Sequence, residues 1–142
     1  MKPRELSTEE CTKLLSNCRY GRLALSMSDS PYVIPMSYVF SQGKIYLHSR
    51  DRGKKFEFVS KNPRICFEVD SVEKSRWSSV LVFGKASLSS DLEAKRRMFD
   101  AFTGKGMQGH GGKQFQREDL EKMPLIIWEI EIEEITGREG LW

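Results

Sequence analysis

The sequence predicts a mainly β fold, a small antiparallel barrel of six strands flanked by three or four short helices. Three observations predict it. Apolar and polar residues alternate in several stretches with the period of two that marks half-buried strands. The turn clusters "SDS" (28–30) and "SQG" (41–43) separate the early strands so closely that they form a meander rather than βαβ units. Gly84 interrupts the longest strand-like stretch, as a bend or bulge in a curled sheet requires.

The elements follow in order. Ser7 and Glu10 form a capping-box pattern for a helix to about Asn17, with Leu14 and Leu15 as its apolar contacts. In "RLALSM", Leu23, Leu25 and Met27 alternate with Arg22, Ala24 and Ser26, and "PYVIPMSYVF" (31–40) follows as one strand. "KIYLHS" (44–49) sends Ile45 and Leu47 one way, Tyr46 and His48 the other. Residues 52–60 read as a helix with Phe56 and Val59 inward and Asp51 as its cap, stopped by Asn62-Pro63. "RICFEVD" places Ile65, Phe67 and Val69 on one face, and "RWSSVLVFGKASL" (76–88) is the long strand. Ser90 and Glu93 cap a helix holding Ala94, Met98, Ala101 and Phe102. A glycine-rich loop (103–116) and a short helix (117–121) lead to "LIIWEIEIEEI", with Ile126, Trp128, Ile130 and Ile132 on one face.

Composition narrows the function classes. A chain of 142 residues, 39% hydrophobic and 30% charged, is expected to fold as one domain, residues 1–142. A net charge of +3 argues for neither nucleic acid nor membrane as a partner. Cys11, Cys18 and Cys66 form no C-x-x-C pair, and with His48 and His110 as the only imidazoles a zinc cluster is not expected. The odd cysteine count and the lack of an apolar N-terminal segment point to a reducing, cytoplasmic location.

The familiar catalytic and nucleotide motifs are absent. "TGKGMQGHGGKQF" contains Gly112-Lys113, but Met107 stands where a Walker A loop needs its first glycine, and Gln114 where it needs Ser or Thr. No G-x-G-x-x-G joins a strand to a helix, and there is no G-x-S-x-G elbow. Glu129, Glu131 and Glu133 at period two read as a solvated sheet face.

One stretch stands out, "GKIYLHSRDRGKKFEF" (43–58). A strand ends at His48 and Ser49, and Gly53, Lys54 and Lys55 occupy the first turn of the next helix. Lysines there oppose the positive end of the helix dipole, by about 0.3–1 kcal/mol each. A bound anion reverses that sign, because free N–H groups, ammonium groups and dipole would all favour it. Solvated lysines and a phosphate cradle both remain open on local physics.

Six segments in order resemble one family: "GRLALSM", "PYVIPMSYVF", "GKIYLHSRDRGKK", "NPRICFEVD", "WSSVLVFGKA" and "IEIEEITGR". From about Leu6 to Arg138 the chain is similar to the pyridoxamine 5′-phosphate oxidase-related flavoproteins, particularly the nitroimidazole-resistance branch. The resemblance implies a split β-barrel that forms a homodimer and binds FMN between the subunits. By that likeness Pro35, Met36, Ser37 and Tyr38 lie along the flavin ring, and His48, Ser49, Lys54 and Lys55 hold the phosphate end. Trp77, Ser78, Ser79 and Val80 approach from the partner chain, while Trp128 is core. In the nitroimidazole-resistance branch a histidine matching His48 is associated with activity, which makes His48 the catalytic candidate.

The chain ends "EEITGREGLW", without the arginine- and histidine-containing substrate signature of true pyridoxamine phosphate oxidases, which argues against oxidation of a B6 vitamer. The expected function is FMN-dependent reduction of a small, flat, electron-poor acceptor, with a nicotinamide as electron donor. A non-enzymatic FMN or electron carrier, a deazaflavin in place of FMN, and a haem-binding relative with His48 or His110 as ligand are the alternatives.

Overall fold

Eight strands and four helices occupy residues 2–104 and 117–142, the residues described by the computed structural model. The strands are β1 (Arg4–Glu5), β2 (Tyr20–Met27), β3 (Ser30–Ser37), β4 (Val39–Ser41), β5 (Lys44–Ser49), β6 (Arg64–Glu73), β7 (Arg76–Ser89) and β8 (Ile126–Leu141). The helices are α1 (Thr8–Asn17), α2 (Lys54–Lys61), α3 (Leu92–Gly104) and α4 (Arg117–Lys122). All strand pairs are antiparallel, in the order β3–β2–β6–β7–β8–β5–β4, with β1 added to β8.

This order forces the sheet to curl. β3 and β4 lie at opposite edges of the path, yet Tyr38 alone separates them in sequence. One residue spans only about 3.5 Å, so the two edges must come together there. The result is the expected split barrel. The single strand expected over 31–40 is therefore two, and with the short β1 this raises the strand number from six to eight. Tyr38 fixes the break: its hydroxyl donates to the Leu15 carbonyl of α1, and its ring meets Phe67 edge-on at 4.9 Å.

Local chemistry accounts for most of the elements. Ser7 Oγ accepts from Glu10 N, and Glu10 Oε1 accepts from Ser7 N, completing the capping box of α1. Arg4 binds both Glu10 and Glu139, and its guanidinium holds the Glu10 carboxyl down to about 2. The β2–β3 turn places Ser28 and Asp29 at φ 48° and 66°, the two left-handed residues of a tight hairpin, and Gln42-Gly43 repeats this between β4 and β5. At Gly84 the β7–β8 register shifts, and an added Cβ would lie 2.2 Å from the Glu131 carbonyl oxygen. The bulge leaves Glu133 without a cross-strand partner, and from there on the outward-facing positions of β8 change parity.

The main core fills the barrel interior with Leu23, Leu47, Phe67, Val80, Trp128 and Ile130, and Leu15 of α1 packs among them. Trp128 is fully buried and donates from Nε1 to Ser49 Oγ at 2.9 Å. A second cluster lies outside the sheet, where Ala94 and Met98 of α3 cover Val39, Tyr46 and Ile127. Tyr46 thus points away from Ile45, as alternation requires, but is buried on that side too. α3 makes its first helical hydrogen bond from Lys95 N to Asp91 O, so its start lies one residue later than a Ser90 cap would place it. The Lys95 ammonium, itself buried, donates to the Met123 carbonyl at the end of α4. The glycine-rich loop, with His110 and the Gly112-Lys113 pair, lies outside the described residues from 105 onward.

α2 departs from expectation at its start. Gly53, not Asp51, is the N-cap, and no side chain caps the helix. Inward are Phe58 and Val59, with Phe56 only half-buried. Asn62 ends the helix and donates to the Ser26 carbonyl, tying α2 to the β2 end.

Two stability predictions follow from these contacts. Tyr38→Phe keeps the ring but strands the Leu15 carbonyl, and is expected to cost about 1–3 kcal/mol. Urea denaturation should show a lower midpoint with an unchanged slope. Gly53 adopts φ 102°, ψ 174° with no atom within 4 Å of a Cβ built on it. Gly53→Ala is thus disfavoured by backbone conformation alone, by about 1–3 kcal/mol. The same urea titration reads this, and an unchanged midpoint would contradict the observed dihedrals.

Candidate functional site

The strand-to-helix corner after β5 carries His48, Ser49, Lys54 and Lys55. Its first turn of helix is built on Gly53, whose dihedrals only glycine adopts readily, and no side chain satisfies the leading N–H groups of α2. Lys54 and Lys55 follow, and about 100° of helical rotation separates neighbouring side chains. Lys55 is half-buried and reaches back to β3, with Nζ 3.7 Å from Met36 Sδ. Lys54 is exposed and borders an open hollow of about 620 Å³ with Arg52, Phe56 and Lys61. The structure brings Lys55 and Met36 together, and turns Lys54 another way.

The remaining candidates differ in what they offer. Pro35 and Ser37 are exposed on β3, whereas the Met36 side chain is turned inward. Tyr38 is fully buried with its hydroxyl bound to Leu15, and burial pushes that phenol well above its usual range. Any ligand contact at Tyr38 would run through its backbone. Ser49 is also committed: its hydroxyl donates to the Arg50 carbonyl at 2.8 Å and accepts from Trp128. No donor remains on that hydroxyl for an anion. His48 is half-buried and meets Phe102 of α3 edge-on, ring centroids 6.3 Å apart.

Trp77, Ser78, Ser79 and Val80 begin β7, while the level of His48 is reached near Ser89, where both align with Ile127. Twelve register steps between Trp77 and Ser89 amount to roughly 40 Å of strand. Trp77 lies over Gly140, where an added Cβ would be 3.0 Å from the ring, and against Trp142 at 6.3 Å. Within one chain this group stands apart from the corner at Lys54.

A polar cluster that the sequence reading did not assemble occupies the outer face of β2 and β6. Arg22 Nη1 lies 3.3 Å from Glu68 and 3.2 Å from Asp70. Glu68 Oε1 is sealed from solvent without a hydrogen-bond donor. Burial, then the Asp70 charge, push the Glu68 carboxyl up, against the opposing pull of Arg22. Only strand pairing reveals this cluster, because Arg22 and Glu68 are 46 residues apart. Among the described residues no group of three or more His, Cys, Asp or Glu side chains is placed to hold a metal. No helix among them is long and apolar enough to cross a membrane.

Known proteins share this fold. The solved structure of an FAD-binding protein from Mesorhizobium loti matches with a TM-score of 0.80, 32% identity and coverage of 99% of both chains. A candidate 5-nitroimidazole antibiotic resistance protein from Bacteroides thetaiotaomicron matches with a TM-score of 0.80 over 98% of this chain and 89% of that one. Its 19% identity makes that a likeness of fold. An uncharacterized protein of Rhizobium meliloti is 31% identical over 83 residues, 58% of this chain and 54% of that protein. The chain therefore spans about half the length of that curated relative. A family model for pyridoxamine 5′-phosphate oxidase matches residues 7–139, from the serine that caps α1 to the residue that anchors Arg4. Spanning nearly all of the split barrel, that match shows that the chain belongs to the pyridoxamine 5′-phosphate oxidase family.

Proposed function

We propose that this chain binds FMN as a homodimer and uses it to reduce a small, flat, electron-poor acceptor. One observation carries the reading: the uncapped N-terminus of α2, flanked by Lys54 and Lys55, stands beside the β3 segment Pro35–Ser37. Unsatisfied N–H groups, the positive helix end and two ammonium groups suit a phosphate. The FAD-binding relative from Mesorhizobium loti supports a flavin as the group attached to that phosphate. Lys55, held near Met36, is assigned to the phosphate on the strand side, and Lys54 to its outer side. Pro35 and Ser37 would meet the ring from β3, and Trp77 to Val80 of a second copy would complete the groove.

When bound, the flavin supplies reversible electron transfer between a donor, a nicotinamide in this reading, and the acceptor. The protein's own residues bind, orient and exclude water. His48, wedged against Phe102, is assigned to orient ring or acceptor. His48→Ala is then expected to lower turnover more than flavin affinity. Unchanged turnover with normal flavin content would return His48 to a packing role.

The phosphate assignment has a sharper test. A charge-assisted hydrogen bond contributes about 1.5–3 kcal/mol, so Lys54→Ala,Lys55→Ala should weaken FMN binding about tenfold or more. Riboflavin, without the phosphate, should bind wild type and variant alike. Equal losses for both ligands would mean a damaged fold, and no loss for either would mean solvated lysines. FAD in a parallel titration separates the mononucleotide from the dinucleotide.

A further inference from the structure

The polar cluster of β2 and β6 adjoins the strand assigned to the flavin ring. Arg22 pairs with Pro35 of β3 and Tyr20 with Ser37, and residues directly opposite share a face, here the outer one. Neighbouring strands lie about 4.8 Å apart, so the fused rings of a flavin seated on Pro35 and Ser37 are wide enough to reach β2. Tyr20 is exposed there, and the Arg22 guanidinium stands 5.8 Å from the centre of its ring.

The bonds of Arg22 are lopsided. Nη1 alone meets both carboxylates, at 3.3 Å from Glu68 Oε2 and 3.2 Å from Asp70 Oδ2. Nε and Nη2 have no hydrogen-bond partner among the described residues, and the side chain is 39% exposed. A fork laid flat on Glu68 would have satisfied both of its oxygens. Instead Glu68 Oε1 is buried without a donor. The carboxylates thus hold the guanidinium by one corner, from the β6 flank. On the β3 flank stands Pro35, whose side chain offers no hydrogen-bonding atom.

We infer that Arg22 lies along the pyrimidine edge of the bound flavin and stabilises the ring in its reduced form. The inference rests on the flavin reading proposed above and adds a residue to that same site. A nicotinamide donor is oxidised by giving up a hydride, which carries two electrons and one proton. The ring therefore gains one negative charge, held on its pyrimidine edge. A planar guanidinium with free donors suits that flat, delocalised anion better than the neutral oxidised ring. Glu68 and Asp70 position the guanidinium and moderate its pull.

The test compares the affinities of the full chain for oxidised and reduced flavin, read together as the midpoint potential of the bound flavin. One charge-assisted hydrogen bond made only to the reduced ring is a difference of about tenfold or more. Arg22→Gln should lower the ratio of reduced to oxidised affinity by that factor, a shift to more negative potential. FMN and riboflavin should show it alike, because the contact is to the ring. Asp70→Asn should move the potential the other way, since it frees the guanidinium from a competing carboxylate. Loss of packing from either half of one ion pair would not produce opposite shifts. An unchanged potential in Arg22→Gln with FMN bound would overturn the inference and leave the flavin reading intact. If circular dichroism shows that Arg22→Gln does not fold, the exposed Asp70 decides alone: an unchanged or more negative potential in Asp70→Asn would overturn the inference. A wild-type chain that takes up neither FMN nor riboflavin would overturn both readings.

Discussion

The placement of β3 and β4 at opposite ends of one sheet, with Tyr38 between them, is the constraint on which the rest depends. A sheet whose two edges share a residue cannot stay open, and cannot be flat. Curling creates an interior into which Cys11 and Leu15 of α1 pack, and the Tyr38 hydroxyl meets the Leu15 carbonyl there. It also brings α2, which follows β5, against β3 on the other side of the seam, so that Lys55 reaches Met36. The polar corner and the exposed β3 segment are neighbours because of that closure, not because of nearness in sequence.

Buried polar groups support the same corner from behind. Trp128 fills the core and uses its one donor on Ser49, whose hydroxyl in turn binds the Arg50 carbonyl. This chain of bonds fixes the end of β5 before the backbone turns through Gly53. Lys95, bound to the Met123 carbonyl, holds α3 near the end of α4. α3 in turn carries Phe102 against His48. The groups proposed to contact a ligand are thus held by others that contact none.

Where local chemistry decides, the sequence was readable. The Ser7–Glu10 box, the alternation in β2 and β6, the turn at Asn62 and the bulge at Gly84 all stand where their residues predict. Where pairing decides, it was not. Met36 and Tyr38 both face inward and Val39 lies under α3, so alternation runs unbroken through the point where the chain changes sheet edge. No glycine or proline marks that point. Asp51 is the better cap for α2 by residue type, whereas a glycine conformation at Gly53 sets the actual entry. The lysines were readable as residues near a helix start, but their divergence was not. The Arg22–Glu68–Asp70 cluster exists only once β2 lies against β6.

The position of β8 bears on how the chain reaches this state. It is the last strand of the described chain, yet it lies between β7 and β5 and also takes β1 at its far end. Arg4 and Glu139 pair across 135 positions of sequence. During synthesis, β1 and the β4–β5 hairpin therefore have no strand to join until residues 126–141 have emerged. Long-range closure of this kind slows folding and leaves strand edges unpaired meanwhile. The nascent chain would thus pass through a period of open strand edges that the finished barrel does not share.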